Sequence, residues 1–262
     1  MTDQLPCPNL YAGHDAGHYT LPDDVLKARD THQAAAALPF PKPPRNSWET
    51  VGEVAQATAD ALRDGTKLPD LDQIEQARKA ERIYQDALDM SDQVLTITRQ
   101  RVDAALRTHS LPLLTAHLRP ALDETWKTYR DAYRTLVEHG QTEPRHLLAA
   151  PAKVRKASDT CDLMAARYEA IALARGDMAR SLHIRCEADP SGKYMLIRNY
   201  HELHVTRWVN ARTPWHGMST RRFLDYMASH AGQIWLPTPD EQAQAVDAEA
   251  ELGNPMKRAA SF

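Results

Sequence analysis

The sequence predicts a mainly α-helical protein built as a long antiparallel helical bundle of coiled-coil character, and three apolar stripes predict it. The first is Val154, Ala157, Cys161, Met164, Tyr168, Ile171, Arg175, Met178 and Leu182, spaced in alternating steps of three and four. On an α-helix such steps place every member on one narrow face. The second runs Ile74, Ala77, Glu81, Tyr84, Leu88, Ser91, Leu95, Thr98, Val102, Ala105. The third is Leu122, Thr125, Trp126, Tyr129, Ala132, Tyr133, Leu136, Val137. Three such stripes can bury one another. Aromatic residues make up only 6% of the 262, so alanine and leucine must fill much of the core, which suits closely approaching helices.

Taken in order, residues 1–46 read as an extended, proline-rich arm. Pro6, Pro8, Pro22, Pro39, Pro41, Pro43 and Pro44 fix φ and remove donors, which opposes a continuous helix. One helix interrupts the arm, from Asp23 to Leu38. Pro39–Pro44 then reads as a polyproline-like strap along a neighbouring surface, with Phe40 as its partner contact; an SH3-type ligand is the sharper alternative. Residues 47–182 form the bundle. Asn46 and Glu49 have capping-box spacing and open a helix that Gly65 ends. Asp70 and Gln73 cap the next, which runs from Leu71 to about Thr108, roughly 57 Å at 1.5 Å per residue. A further row on it, Ala80, Ile83, Ala87, Met90, Val94 and Ile97, makes its apolar face wide enough for two neighbours. Ser110 and Pro112 start a new helix, and Pro120 predicts a kink or break between Leu118 and Leu122. Gly140 closes that element. A short helix over Leu147 and Leu148 follows, and Pro151 opens the last long one.

Residues 183–236 have a different texture and read as a small mixed α+β cap. Two β-prone runs, Leu182–Glu187 and Lys193–Arg198, flank the turn residues Asp189-Pro190-Ser191-Gly192, which predicts a β-hairpin. Helices are expected from Asn199 through Val209 and from Ser219 to His230, then an extended Ile234–Pro239. Residues 237–262 supply an acidic helix, Asp240 to Leu252, detached from the bundle, and a basic tail.

Charge and motifs narrow the function. Formal net charge is −3, and 17 acidic residues balance 17 basic ones between Asp70 and Leu182, so bulk charge gives the bundle no duplex-binding surface. No run is long and apolar enough to cross a membrane, and residues 1–10 lack the basic and apolar regions of a secretory signal. Cys7, Cys161 and Cys186 are odd in number and far apart, which points to a reducing, intracellular setting. His201-Glu202-Leu203-His204 has its histidines three apart, where helical zinc binding needs four. Gly13-His14-Asp15-Ala16-Gly17-His18 reads as a polar turn. Phosphate-loop, dinucleotide and nucleophile-elbow motifs are absent from the sequence, so no cofactor, metal or catalytic residue is expected and the chain reads as non-enzymatic.

The most function-like stretch is 193–235. It holds Trp208, Trp215 and Trp235 among Arg207, Arg212, Arg221 and Arg222, with Tyr194, Tyr200, Phe223 and Tyr226. Such residues anchor protein interfaces. They also stack on single-stranded nucleic acid, or they simply form a satellite core. The expected use is binding to other protein subunits, with Trp215 in a loop as the exposed anchor; single-strand binding is the alternative. The plan of proline-rich arm, rod-like bundle and detached terminal helix resembles accessory structural or assembly proteins of actinobacterial tailed bacteriophages. That resemblance implies multi-copy assembly in a virion or in the cytoplasm of the bacterial host.

Overall fold

The computed structural model describes residues 5–39, 41–140, 150–189, 191–203 and 213–253. It is mainly helical, as expected. The helices are α1 (Pro8–Asp15), α2 (Asp23–Ala36), α3 (Ser47–Asp64), α4 (Asp72–Thr108), a single turn α5 (Ser110–Pro112), α6 (Arg119–Glu138), α7 (Ala152–Ser181), a short α8 (Tyr200–Leu203), α9 (Thr220–Ser229) and α10 (Pro239–Gly253). The chain divides into two compact units, one from Leu26 to Ala104 and one joining the residues up to Val25 with those from Ala105 onward. These boundaries fall inside α2 and α4, whereas the sequence predicts boundaries at 46, 182 and 236. No described helix is long and apolar enough to cross a membrane. The expected helix over Leu147 and Leu148, the tail after Gly253 and the stretch from His204 to Arg212 lie outside the described residues.

In the unit of Leu26–Ala104, helix ends follow local sequence. The Asn46 side chain accepts from Trp48 N–H at 2.9 Å to cap α3, and Gly65 closes it at φ 65°. Asp70 accepts from Asp72 N–H at 3.0 Å to start α4. Glu81 of α4 reaches across to accept Ser47 N–H at 2.6 Å. That hydrogen bond holds its carboxyl below the usual range. His32 Nδ1 and Thr98 Oγ1 lie 2.9 Å apart, both buried, and tie α2 to α4.

The second unit is organised on α7. Val154, Ala157, Cys161, Met164, Tyr168, Ile171, Arg175 and Met178 are all buried, so the first stripe does face the core. Helix α6 packs along it antiparallel: Cys161 Sγ–H approaches Tyr129 O at 4.0 Å, and Arg167 pairs with Glu124 at 3.0 Å. Burial pushes the Cys161 thiol up to about 12. Ile171 is fully buried. Ile171→Ala should therefore cost about 2–5 kcal/mol through lost burial and a residual cavity. A denaturant titration checks this, and an unchanged midpoint would mean that the site collapses without penalty.

Four expectations are corrected. The N-terminal segment is not an extended arm. Cys7, Leu10, Tyr11, Tyr19, Leu21 and Val25 are buried, and α1 docks on α7. Buried Asp177 of α7 accepts Asn9 N–H at 2.8 Å at the start of α1, where a carboxylate suits the helix dipole. Arg167 Nε donates to His18 O at 2.9 Å at the far end. The prolines that read as breakers occupy starts: Pro8 is at the first turn of α1, where its missing N–H costs nothing, and Pro22 precedes α2. Pro120 does not break its helix. The backbone widens into a π-helical turn over Leu113–Leu118, with Arg119 N–H bonded to Leu114 O, and α6 continues from there.

The β-hairpin is also absent among the described residues. Asp189 accepts Lys193 N–H at 3.0 Å and Tyr194 N–H at 2.8 Å, so the start of the second run is wound into a side-chain-held turn in place of a strand. The second β-prone run pairs instead with the extended segment near Trp235, through one antiparallel bridge between Ile197 and Ile234. Finally, α10 is docked rather than detached. Gln242 is buried and donates to Asp189 at 2.8 Å, and Glu241 pairs with Arg119 of α6.

Candidate functional site

The aromatic stretch of the sequence folds into a cleft of about 570 Å³, lined among others by Tyr168, Lys193, Tyr200, Trp215, Met218 and Phe223. Its frame is α9. Ser219 caps this helix, and Thr220 Oγ1 donates to Glu169 of α7 at 3.2 Å. Leu224 and Met227 are buried beneath. Trp215 arrives on a turn closed by His216 N–H to Thr213 O at 2.9 Å, Met218 N–H to Trp215 O at 3.1 Å, and Gly217 at φ 76°. A positive φ there favours glycine. The Trp215 ring is half-buried and rests against three others: Tyr200 edge-on at 5.5 Å between centroids, Tyr226 at 5.8 Å and Phe223 at 6.3 Å. Tyr168 backs Phe223 at 5.8 Å. Such tilted and edge-to-face pairs each add about 0.5–1.5 kcal/mol beyond burial, which fixes the ring positions. Lys193 Nζ stands 6.0 Å from the Tyr200 ring.

The other wall rests on two buried polar hubs. Asp189 is 6% exposed and accepts from Ser191 Oγ, the amides of Lys193 and Tyr194, and Gln242 Nε2. Burial alone would raise its pKa; these hydrogen bonds outweigh it and hold the carboxyl below the usual range. Asn199 accepts Gln233 N–H at 2.8 Å and donates to Ala231 O at 3.3 Å, joining the cleft wall to the extended segment after α9.

The residues expected to share one binding patch do not all meet. Trp215 lies in the aromatic cleft. Trp235 lines a different cleft of about 560 Å³ with Arg119, Asp123, Arg198, Glu202 and Glu241. Its Nε1–H donates to Tyr194 O at 2.8 Å and the Arg198 guanidinium sits 5.4 Å over its ring. Arg221 is engaged inside the fold. It pairs with Asp162 at 2.8 Å and Asp225 at 3.3 Å, donates to Ser158 O at 3.2 Å, and covers the Tyr129 ring at 5.7 Å. Tyr129 OH donates to Asp225 at 2.6 Å. Burial, with that bond to Asp225, pushes its hydroxyl far above the usual range. Arg222 is exposed. Trp208, Arg207, Arg212 and Phe40 lie outside the described residues.

Sequence reasoning missed Asp189, Asn199 and the role of Tyr168 in the cleft wall. The first two carried a faint signal as Asp and Asn beside a turn. Tyr168 gave none, because its place in an apolar stripe explained it fully. Among the described residues, no group of three or more His, Cys, Asp or Glu side chains is placed to hold a metal ion. Fold and site together define a mainly helical chain presenting an aromatic cleft. No protein-family model, curated protein or solved structure matches it.

Proposed function

We propose that this chain is a non-enzymatic structural or assembly protein whose aromatic cleft takes an apolar or aromatic side chain from a partner protein subunit. The observation that carries the reading is Trp215, half-buried on a closed turn within a cleft walled by aromatic rings. A ring held in place before binding loses little conformational entropy on contact, and this is the character of an interface hot spot. The helices supply the rigid support; the bundle expected from the apolar stripes belongs to this reading. Virion or virion-assembly membership is part of the proposal on the sequence plan alone, and the folding of the N-terminal segment onto α7 and the docking of α10 remove two of that plan's three features.

The commitment of Arg221 to Asp162 and Asp225 favours protein over nucleic acid, because the patch has one cation fewer for phosphate. Trp215→Ala should weaken binding to a partner subunit recovered by cross-linking to the intact chain by more than about tenfold, or roughly 1.4 kcal/mol, with the thermal transition nearly unchanged. Single-stranded DNA binding that falls steeply with salt would instead favour the nucleic-acid reading. Unfolding of the Trp215→Ala protein would reduce the cleft to a satellite core.

A further inference from the structure

Helix α4 carries two apolar rows, and among the described residues only one is turned inward. The row containing Ser91, Thr98 and Val102 is turned inward, with those three side chains buried. The other is Ala80, Ile83, Ala87, Met90, Val94 and Ile97, and its large members are open: Ile83 is 58% exposed, Met90 62% and Ile97 49%, while Ala87 and Val94 are half-buried. The whole unit from Leu26 to Ala104 shows the same imbalance. Its buried apolar residues are Ala35, Val54, Ala61 and Val102, while Trp48, Leu62, Leu68 and Leu71 are exposed. An exposed apolar row along one helix face marks an association site.

The spacing of the open row is three, four, three, four, three, which is a strict heptad pattern. Within it the small residues Ala80, Ala87 and Val94 alternate with the large residues Ile83, Met90 and Ile97. We infer that this row is the interface with a second copy of the chain, paired antiparallel about a two-fold axis between Leu88 and Asp89. In that register Ala80 meets Ile97 of the second copy, Ile83 meets Val94, and Ala87 meets Met90, each contact repeated by the axis. Every layer sets a small side chain against a large one, so the volumes match along the seam. A parallel pairing would stack Met90 on Met90 and Ala87 on Ala87, alternating overfilled with empty layers. Charge agrees. The flanking positions on the open side are Lys79, Asp86, Gln93 and Gln100. The antiparallel register sets Lys79 near Gln100 and Asp86 near Gln93, so no like charges face each other. This surface is distinct from the aromatic cleft, and the inference stands without the function proposed for that cleft.

Light scattering across a concentration series of the full chain tests it. The mass should rise from 29.5 kDa towards twice that value. Met90→Glu should hold it at the single-copy mass, with helix content and dilute-solution melting unchanged, since the side chain is largely exposed in one copy. Mixing Ala87→Cys protein with Met90→Cys protein under oxidising conditions should give a disulfide-linked pair that neither forms alone. A wild-type chain that stays single throughout, or a dimer indifferent to Met90→Glu, overturns the proposal. Cross-linking of Met90→Cys protein to itself overturns the antiparallel register.

Discussion

A chain beginning at Pro22 should lose the cooperative unfolding transition of the unit built on α7. The deletion removes Leu10, Tyr11, Tyr19 and Leu21, which are between 0% and 6% exposed in the intact fold. Each large apolar side chain fully buried contributes about 1.5–3 kcal/mol. Their joint loss is comparable with the roughly 5–15 kcal/mol that holds a typical domain. The newly bared face of α7 would also carry Asp177 without the Asn9 amide that it accepts at 2.8 Å. Thermal melts followed by circular dichroism decide the matter. A truncated chain melting like the intact one would show α1 to be an ornament on a self-sufficient core. A milder substitution probes the same docking. A Cβ added at Gly13 would sit 2.3 Å from the Tyr19 hydroxyl oxygen. That hydroxyl donates to Leu10 O at 2.9 Å, so Gly13→Ala should displace the ring, break the bond and lower the melting temperature.

What was legible in the sequence was whatever depends on neighbours along the chain. The stripe from Val154 to Met178 is buried as its period required. The ends of α3 and α4 fall where Asn46, Gly65 and Asp70 placed them, because a cap acts on the amides of its own first turn. The N-terminal segment was opaque for the opposite reason. Leu10, Tyr11, Tyr19, Leu21 and Val25 are too sparse to show a period, and their burial comes with the folded chain, in which α1 packs on α7. Pro120 reads as a kink or break, yet α6 runs through it after the π-helical turn over Leu113–Leu118. The cleft was visible as a composition of arginine and aromatic residues but not as an arrangement. Nothing near Arg221 announces Asp162 of α7 as its partner, and that pairing decides how much positive charge the patch can offer. The hairpin is predicted from turn residues between β-prone runs, and these look the same whether or not an aspartate captures the amides.

That aspartate is the second position where one change should matter most. Asp189→Ala removes the acceptor for the Lys193 and Tyr194 amides, Ser191 Oγ and Gln242 Nε2 together. A buried donor left without an acceptor costs about 1–3 kcal/mol. With Tyr194 N–H and Gln242 the most enclosed of the four, the sum should reach roughly 3–6 kcal/mol and loosen α10 as well as the cleft wall. Asp189→Asn keeps one acceptor oxygen but turns an amine towards the donors at the other, so it should recover only part of the loss. The pH dependence provides the separate signature. The carboxyl is held below its usual range in the fold, so its contribution is present above the unfolded value of about 3.9 and disappears as pH falls through the lower folded value. Stability measured by denaturant titration between neutral pH and about pH 3 should therefore fall more steeply for the wild type than for Asp189→Asn. Parallel slopes for the two proteins would mean that Asp189 is not the hub that shapes this turn, and the Trp215 cleft would then need another explanation for its far wall.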